Sequence, residues 1–289
     1  MNIQPLSSCT FDQVLEVWNR GFEGYAVNVH LNLDQLLTRM VYEGKFPEHS
    51  FVAMEGDQPA GFVFNAIKEI NGRKLAWNGG TGIVPEKRGT GIGKKLIQTS
   101  LDYYQKQGVH TAYLEALRSN EPAINLYKKM GYMVIDHLDF LEAESLSETD
   151  FENEASGLII REEPWEKVQH LPFTEKDIPW QNRKENIPDG RSYVVYEQKR
   201  PVAYYLSRTI FNNLGDIQGV VLYQLSADEG RENIEEIVKF ALKQVFRPEV
   251  RSCRRLISNF PNKKETILSV IKNIGFETKL QQVHMKIEW

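Results

Sequence analysis

The order of hydrophobic and polar residues in the first half of the chain changes its period several times. Stretches in which hydrophobic residues recur every three or four positions predict helices, and alternating stretches predict strands. Thr10 and Gln13 have the spacing of a helix capping box, and Asn71-Gly72 predicts a hairpin turn. The predicted elements are helices at 10–20 and 32–44, strands at 50–55, 59–70 and 73–84, a helix ending near 108, a strand at 111–117, a helix at 120–130 and a strand at 132–137.

The second half of the chain repeats this order in a degenerate form. Pro201 follows a turn as Pro59 does, 142 residues later, and Gly275-Phe276 follows Gly131-Tyr132 by 144 residues. Such a near-constant offset predicts two copies of one fold. Within the second copy, a strand is predicted at 216–226 and helices at 231–246 and 263–273.

Between the two copies the composition becomes acidic. Residues 139–154 contain seven Asp and Glu residues and no Lys or Arg. This pattern predicts an acidic linker at 139–156, between a first domain at 1–138 and a second at 157–289. The alternative is an acidic loop within a single domain.

The segment after the third strand is rich in glycine and lysine, with Arg-Gly-Thr-Gly-Ile-Gly-Lys at 88–94. Glycine lets main-chain N–H groups approach a ligand, and a helix N-terminus adds unpaired N–H groups. The segment therefore predicts a phosphate site. The P-loop pattern fails because Arg88 and Lys95 occupy positions that it reserves for glycine and for Ser or Thr. The three-glycine dinucleotide pattern fails as well.

The pattern that fits is R-x-x-G-x-G, at 88–93 after Val84-Pro85. It resembles the pyrophosphate loop of the GNAT superfamily of acyl-CoA-dependent N-acyltransferases. Residues 120–132 are similar to a second pattern of that family, N-x-x-A-x-x-L-Y-x-x-x-G-[FY], at every defined position. The resemblance covers residues 1–138. It implies the GNAT fold, an α+β fold with a central, mostly antiparallel mixed sheet flanked by helices.

The repeat then implies a tandem GNAT protein with a degenerate second copy. At the place of the glycine-rich segment, residues 226–236 contain one glycine and several carboxylates, which would repel pyrophosphate. Ile271 stands where the first copy has Tyr127. We therefore expect the second copy not to bind acyl-CoA and to serve the first as structure.

The resemblance implies that the protein is an N-acetyltransferase. Acetyl-CoA would donate the acetyl group to a primary amine by direct attack in a ternary complex, without a metal. Tyr127 is expected to protonate the departing thiolate, and Gly79, Gly80 and Gly82 are expected to let their strand bulge or part from its neighbour. Cofactor contacts are expected from Ile83, Val84, Arg88, Gly89, Thr90, Gly91, Ile92, Gly93, Lys94 and Asn120.

The acceptor side of the site is expected near Glu23, Tyr25, His30 and Glu115. The sequence does not identify which carboxylate is the general base. It also leaves open a non-catalytic acyl-CoA-binding or regulatory module, and a nucleotide-binding protein of another class. The latter is disfavoured because the P-loop pattern fails and its magnesium ligand is missing.

Composition and charge narrow the possible partners. The 289 residues are 41% hydrophobic and 26% charged, with a net charge of −4, which is typical of a soluble protein of about two domains. No long basic run predicts nucleic-acid binding, and the two cysteines predict neither a disulfide framework nor a metal site. No apolar run or leader predicts membrane contact, so a cytoplasmic location is expected. The acceptor, a small-molecule or peptide amine, and the state of assembly, monomer or homodimer, stay open.

Overall fold

The structure, a computed structural model, describes residues 1–151, 157–250 and 253–289 in two compact units. Unit 1 comprises Met1–Ile135 and His284–Trp289, and unit 2 comprises Asp136–Val283. The elements up to the unit boundary are β1 Asn2–Pro5, α1 Phe11–Gly21, α2 Leu33–Glu43, β2 Phe51–Glu55, β3 Gln58–Ile70, β4 Arg73–Ile83, α3 Ile92–Lys106, β5 Thr111–Leu117, α4 Glu121–Lys129 and β6 Met133–Ala143. The later ones are β7 Leu158–Glu162, α5 Trp165–Val168, β8 Arg191–Glu197, β9 Arg200–Phe211, β10 Ile217–Ala227, α6 Ile234–Phe246, β11 Arg254–Pro261, α7 Glu265–Asn273 and β12 Glu277–Glu288.

Unit 1 contains a mixed sheet in the order β1-β2-β3-β4-β5, with β12 as the next neighbour of β5. Strands β1 to β4 pair antiparallel, and β4 pairs with β5 in parallel. Helix α1 packs on this sheet through Trp18, whose ring lies 5.4 Å from Phe62 and 5.3 Å from Phe64. The mixed sheet with flanking helices agrees with the predicted fold class.

The local signals in unit 1 are confirmed. Thr10 and Gln13 form the predicted capping box of α1, and Asn32 caps α2 in the same way. Asn71 and Gly72 turn the β3–β4 hairpin with φ of 51° and 73°, the left-handed values that a tight hairpin turn requires. These interactions lie within four residues along the chain, so sequence alone defines them.

The predicted acidic linker differs from the structure in its first residues, because β6 runs to Ala143. Leu138 and Leu141 are buried in unit 2, and each is followed directly by an acidic residue of the predicted linker, Asp139 and Glu142. Asp139 is also buried, where its carboxylate accepts hydrogen bonds from Thr278 Oγ1 at 2.9 Å and Gln281 Nε2 at 2.8 Å. The run of acidic residues predicted that Asp139 would be exposed to solvent. It is buried instead, which is tolerated because its carboxylate is hydrogen-bonded. Residues 152–156 of the predicted linker lie outside the described residues.

Unit 2 repeats the strand and helix order of unit 1, with strands in the order β12-β6-β11-β10-β9-β8-β7. The β9–β10 hairpin is antiparallel and β10 pairs with β11 in parallel, as β3, β4 and β5 do. The predicted strand at 216–226 and the two predicted helices correspond to β10, α6 and α7. In place of α1 and α2, unit 2 has the single turn α5 and 3-10 turns at Trp180–Asn182 and Lys184–Asn186.

The units differ from the predicted domains at both boundaries. Strand β6 begins in unit 1 and continues in unit 2, whereas β12 begins in unit 2 and its last residues belong to unit 1. Trp289 N–H donates to His110 O at 3.1 Å, immediately before β5. The alternation of a strand does not reveal which sheet it joins, so the sequence could not place residues 284–289 in unit 1.

Candidate functional site

Strands β4 and β5 part before either strand ends. Their parallel pairing stops at Asn78 and Leu114, although β4 continues to Ile83 and β5 to Leu117. The pairing between β3 and β4 skips Gly79, which is the bulge that the glycines in this strand predicted. The divergence leaves an opening between the two parallel strands.

A cavity of about 680 Å³ lies at this opening. Its wall combines the end of β4, the glycine-rich segment, the start of α4 and residues 21–26 after α1. The volume is within the range of small-molecule and cofactor sites. The predicted site residues that line the cavity are Glu23, Tyr25, Ile83, Arg88, Gly89, Gly91, Gly93, Lys94 and Asn120.

The glycine-rich segment offers unpaired main-chain donors to this cavity. Gly89 and Gly91 have φ of 77° and 85°, which residues with a side chain rarely adopt, and α3 begins directly after Gly91. The first helical hydrogen bond is donated by Lys95 to Gly91 O, so the N–H groups of the preceding turn are not used by the helix. With the adjacent Lys94 they form a donor set suited to phosphate.

Arg88 joins the glycine-rich segment to the residues after α1. Its Nε donates to Ile83 O at 3.0 Å, and its Nη2 donates to Gly21 O at 3.3 Å and to Glu23 O at 2.6 Å. The sequence predicted this arginine as a cofactor contact. The structure adds that it also holds main-chain carbonyls whose positions lie about 65 residues earlier in the chain.

Tyr25 approaches the opposite wall of the cavity. Its hydroxyl forms hydrogen bonds with the Asn120 side chain and the Leu117 main chain. Burial raises the pKa of Tyr25, and these two hydrogen bonds oppose the rise. Asn120 also caps α4 by accepting a hydrogen bond from Ala123 N–H at 3.3 Å. The same residue therefore caps the helix and lines the cavity.

Tyr127 is 8% exposed and lies on α4. Burial raises the pKa of its phenol above the ordinary value, whereas hydrogen bonds with the Thr81 and Asn78 side chains lower it. The hydroxyl therefore keeps its proton at neutral pH. It lies beside Thr81, which lines the cavity at the point where β4 leaves β5, but Tyr127 itself is not among the lining residues.

The sequence did not identify Thr81, which lines the cavity, or Asn78, which is hydrogen-bonded to Thr81. Thr81 Oγ1 donates to Asn78 Oδ1 at 3.1 Å, and Gly80 N–H donates to the same oxygen at 3.1 Å. Asn78 is 5% exposed. One sequence signal could have identified Asn78: it is a polar residue directly after the hydrophobic run Leu75–Trp77. A polar side chain that is buried in a strand usually has specific hydrogen-bond partners.

The side chain of Glu115 on β5 is buried and is 3% exposed. Its Oε2 accepts a hydrogen bond from Trp77 Nε1 at 2.6 Å, and its Oε1 lies 3.7 Å from His284 Nε2. The His284 ring stacks on Tyr113 with centroids 5.5 Å apart. Glu23, the other predicted carboxylate, is exposed and lines the cavity. The two candidate bases thus occupy opposite environments.

Val84 and Thr90 use their polar groups within the fold. Val84 N–H donates to Ala60 O at 3.1 Å, and Val84 O accepts from Lys87 N–H at 2.9 Å. Thr90 Oγ1 donates to Lys87 O at 2.7 Å. Both main-chain groups of Val84 thus have partners within the fold, and only its carbonyl oxygen, with its second lone pair, could accept a further hydrogen bond.

His30 and Ile92 also lie away from the cavity wall. His30 is exposed, and its N–H donates to Asn28 Oδ1 at 3.0 Å. Ile92 is 1% exposed and begins α3, so its side chain packs in the core while its main chain belongs to the glycine-rich turn. Neither side chain is among those that line the cavity.

In unit 2 the parallel strands β10 and β11 also part, but a side chain of the same unit occupies the space between them. The pairing of β10 with β11 stops at Leu222 and Ile257, and Asn182 lies beyond that point. Asn182 Nδ2 donates to Tyr223 O at 2.6 Å on β10 and to Ser258 O at 2.6 Å on β11. A cavity of only about 20 Å³ is left beside it.

Residues 1–151, 157–250 and 253–289 contain no cluster of His, Cys, Asp and Glu with the geometry of a metal site. None of the helices described there has the length and hydrophobicity needed to cross a membrane.

Comparison with known sequences relates the region around the cavity to acetyltransferases. The model of the Acetyltransferase (GNAT) family matches residues 11–132. N-alpha-acetyltransferase 30 of Schizosaccharomyces pombe is 32% identical over 108 residues, which are 36% of this chain and 72% of that protein. Mycothiol acetyltransferase of Arthrobacter sp. is 37% identical over 51 residues, which are 18% of this chain and only 16% of that protein.

Comparison with solved structures covers nearly the whole chain. A tandem GNAT protein from the clavulanic acid biosynthesis pathway has a TM-score of 0.60 at 15% identity, over 99% of this chain and 98% of that one. A GCN5-related N-acetyltransferase from Sphaerobacter thermophilus has a TM-score of 0.63 at 12% identity, over 99% and 95%. At these identities the similarity shows the fold, and the fold includes the repeat.

Proposed function

Because the chain belongs to the GNAT family of acetyltransferases, we propose that it transfers an acetyl group from acetyl-CoA to a primary amine by direct attack in a ternary complex. The glycine-rich segment, Lys94 and Arg88 would hold the pyrophosphate, since their N–H groups and charges suit an anion. Asn120 and Ile83 would line the course of the cofactor arm. The cavity at the β4–β5 divergence is the observation on which this assignment depends.

Acetyl-CoA supplies an already activated thioester, so the protein has to align the reactants and manage two protons. An amine with a pKa near 10 must first lose a proton, which costs about 4 kcal/mol at pH 7. Glu23 and Glu115 are the two candidate acceptors of that proton. Replacing each by Gln and recording the pH dependence of kcat/KM would distinguish them, because loss of the base removes the acidic limb of the profile.

Tyr127 is our candidate for the acid that protonates the departing thiolate. Two observations support this role: the raised pKa keeps the hydroxyl protonated, and the hydroxyl lies beside Thr81, which lines the cavity. Tyr127→Phe should bind CoA as the wild type does but turn over at least about tenfold more slowly, since a positioned acid contributes a factor of about 10² to 10⁴. Single-turnover rates and CoA affinity measure the two effects.

Tyr132→Phe is the matched control for this experiment. Tyr132 is also buried, and its ring lies 5.9 Å from that of Tyr127, so the same substitution removes a neighbouring hydroxyl. We expect its turnover to match the wild type. Equal turnover in Tyr127→Phe and wild type would remove Tyr127 from the mechanism.

The acceptor class requires a direct assay. Release of free thiol from acetyl-CoA can be followed over a panel of amines, including a peptide with a free α-amino group, as the name of the N-alpha-acetyltransferase suggests, and small-molecule amines. Turnover on a member of the panel supports the enzyme. Tight CoA binding without turnover on any amine would favour the non-catalytic acyl-CoA-binding module.

A further inference from the structure

Residues 21–26 comprise the last residue of α1 and the five that follow it, and the Arg88 side chain at the glycine-rich segment holds two of their main-chain carbonyls. Arg88 donates to Ile83 O through Nε and to Gly21 O and Glu23 O through Nη2. A guanidinium has five N–H hydrogens, of which these bonds use three. Among the described residues, the two hydrogens on Nη1 have no hydrogen-bond partner.

The same six residues are held from the other side by Tyr25. Its hydroxyl bonds to the Asn120 side chain and to the Leu117 main chain, at the end of β5 and the start of α4. Both anchoring groups and all six residues of the 21–26 segment line the same cavity. The segment therefore bridges the cavity between the anion site and the far wall.

Arg88 can serve the segment and an anion at the same time. Its planar fork fixes the directions of all five donors, so the carbonyls on Nε and Nη2 leave Nη1 for a second group. A lysine offers one flexible ammonium and cannot hold the three carbonyls and an anion in a fixed arrangement. The salt bridge of Arg20 with Glu86 is a further tie between α1 and the glycine-rich segment, but both side chains are largely exposed, so it contributes little.

We propose that Arg88 couples the cofactor site to the acceptor site. A pyrophosphate group bound at Nη1 and the start of α3 fixes the guanidinium, and the fixed guanidinium orders residues 21–26 across the cavity. Tyr25 and Glu23 then stand in place for the amine, so CoA binding raises the affinity for the acceptor. The inference rests on the proposed function. Because such coupling is reciprocal, the acceptor must also tighten CoA binding by the same factor.

Hydrogen exchange of residues 21–26 with and without CoA tests the coupling without any turnover. We expect saturating CoA to slow exchange in the wild type by about fivefold or more, the lower end of typical coupling factors. Lys94→Ala, which removes charge but not the link, should show the same protection once CoA is saturating. Arg88→Lys should bind CoA at higher concentration and show no protection.

A thermal shift with CoA distinguishes failure of the coupling from failure of the proposed function. CoA binding without protection of residues 21–26 in the wild type, or equal protection in Arg88→Lys, would overturn the coupling alone. No thermal shift with CoA at any concentration would overturn the proposed function and the coupling together.

Kinetics give a second, independent readout. At saturating acetyl-CoA, Arg88→Lys should raise the KM for the amine by about fivefold or more, whereas Lys94→Ala should raise only the KM for acetyl-CoA. Tyr25→Phe should raise the amine KM as well, and the double variant with Arg88→Lys should be non-additive because both residues hold one segment. An amine KM that Arg88→Lys leaves unchanged contradicts the proposal.

Discussion

Gly82 lies where the end of α1 approaches β4 most closely. A Cβ at this position would lie 2.5 Å from Phe62 Cε1 and 3.1 Å from the Gly21 carbonyl carbon. Gly82→Ala should therefore lower the free energy of unfolding by about 1–3 kcal/mol, the usual cost of overpacking. Gly219→Ala is the control, since its nearest neighbour would be 3.4 Å away. Equal unfolding curves for Gly82→Ala and wild type would contradict the close approach.

Lys264 gives unit 2 a pH dependence that can be assigned to one residue. Burial lowers the pKa of Lys264 to about 8, although Glu175 and Glu229 oppose the shift. Below pH 8 the lysine is charged in both the folded and the unfolded state, so its burial cost is fully present. Between pH 8 and about 10.5 the folded protein releases the proton first, so stability should rise by up to about 3 kcal/mol.

Lys264→Met should abolish this rise, and Lys263→Met should keep it. Lys263 is the adjacent residue and is half exposed, so it is a matched substitution in a solvated position. Urea unfolding at pH 7.5 and pH 10 measures the difference between each variant and the wild type. The same pH slope in Lys264→Met and the wild type would contradict the assignment.

At the residue scale, the sequence predicts which residues line the cavity better than it predicts their hydrogen-bond partners. Arg88, Tyr25 and Asn120 were all found from their motifs or segments, and all line the cavity. That Arg88 holds the carbonyls of residues 21 and 23 could not be predicted, because main-chain oxygens carry no sequence signal. Asn78 was missed for a related reason: its partners become neighbours only through the bulge at Gly79.

At the element scale, the parallel pair β4–β5 in unit 1 and the parallel pair β10–β11 in unit 2 both part before the strands end. The space between the parted strands is occupied differently in the two units. In unit 2 the Asn182 carboxamide donates hydrogen bonds to main-chain carbonyls of β10 and β11. It also accepts a hydrogen bond from Ser258 Oγ at 3.1 Å. Carbonyls left by a parted pair of strands must find other donors when they are buried. Unit 2 satisfies them with its own side chain, whereas unit 1 leaves space for a ligand.

Asn182→Ala should consequently destabilise unit 2. It would leave two buried carbonyls without this donor, at about 1–3 kcal/mol for each unsatisfied group. Asn213→Ala is the same substitution at an exposed turn and should change stability by less than about 0.5 kcal/mol. Chemical unfolding monitored by tryptophan fluorescence compares them, and a neutral Asn182→Ala would show that the contact is dispensable.

The order of most elements was predictable from sequence, although β1, β7 and β8 were not predicted, and the membership of the strands in units was not predictable. Capping boxes, the Asn71-Gly72 turn and the glycine-rich segment act over a few residues, and each agrees with the structure. The two strands that change units, β6 and β12, have ordinary alternation. Their placement depends on which neighbour offers an open edge, and that is a property of the folded sheet.

At the scale of the whole molecule, unit 1 is discontinuous in sequence, which makes the short segment 284–289 part of its stability. Met285 and His284 are at most 1% exposed, and the Trp289 ring lies 6.5 Å from that of Tyr104. A chain shortened to residues 1–283 exposes the edge of β5 and loses a buried methionine, which is worth about 1.5–3 kcal/mol. It should unfold at a lower temperature and lose the thermal shift with CoA.

A chain shortened to residues 1–286 is the graded control, because it keeps His284 and Met285 and loses only the more exposed end. It should retain CoA binding with a smaller drop in unfolding temperature. The predicted first domain, residues 1–138, lacks all six residues and should be less stable than either shortened chain. If 1–283 bound CoA and unfolded like the full chain, the second copy would contribute nothing to unit 1 through this strand. Loss of binding in 1–283 alone would instead show that unit 1 needs residues 284–289, which follow the second copy in the chain.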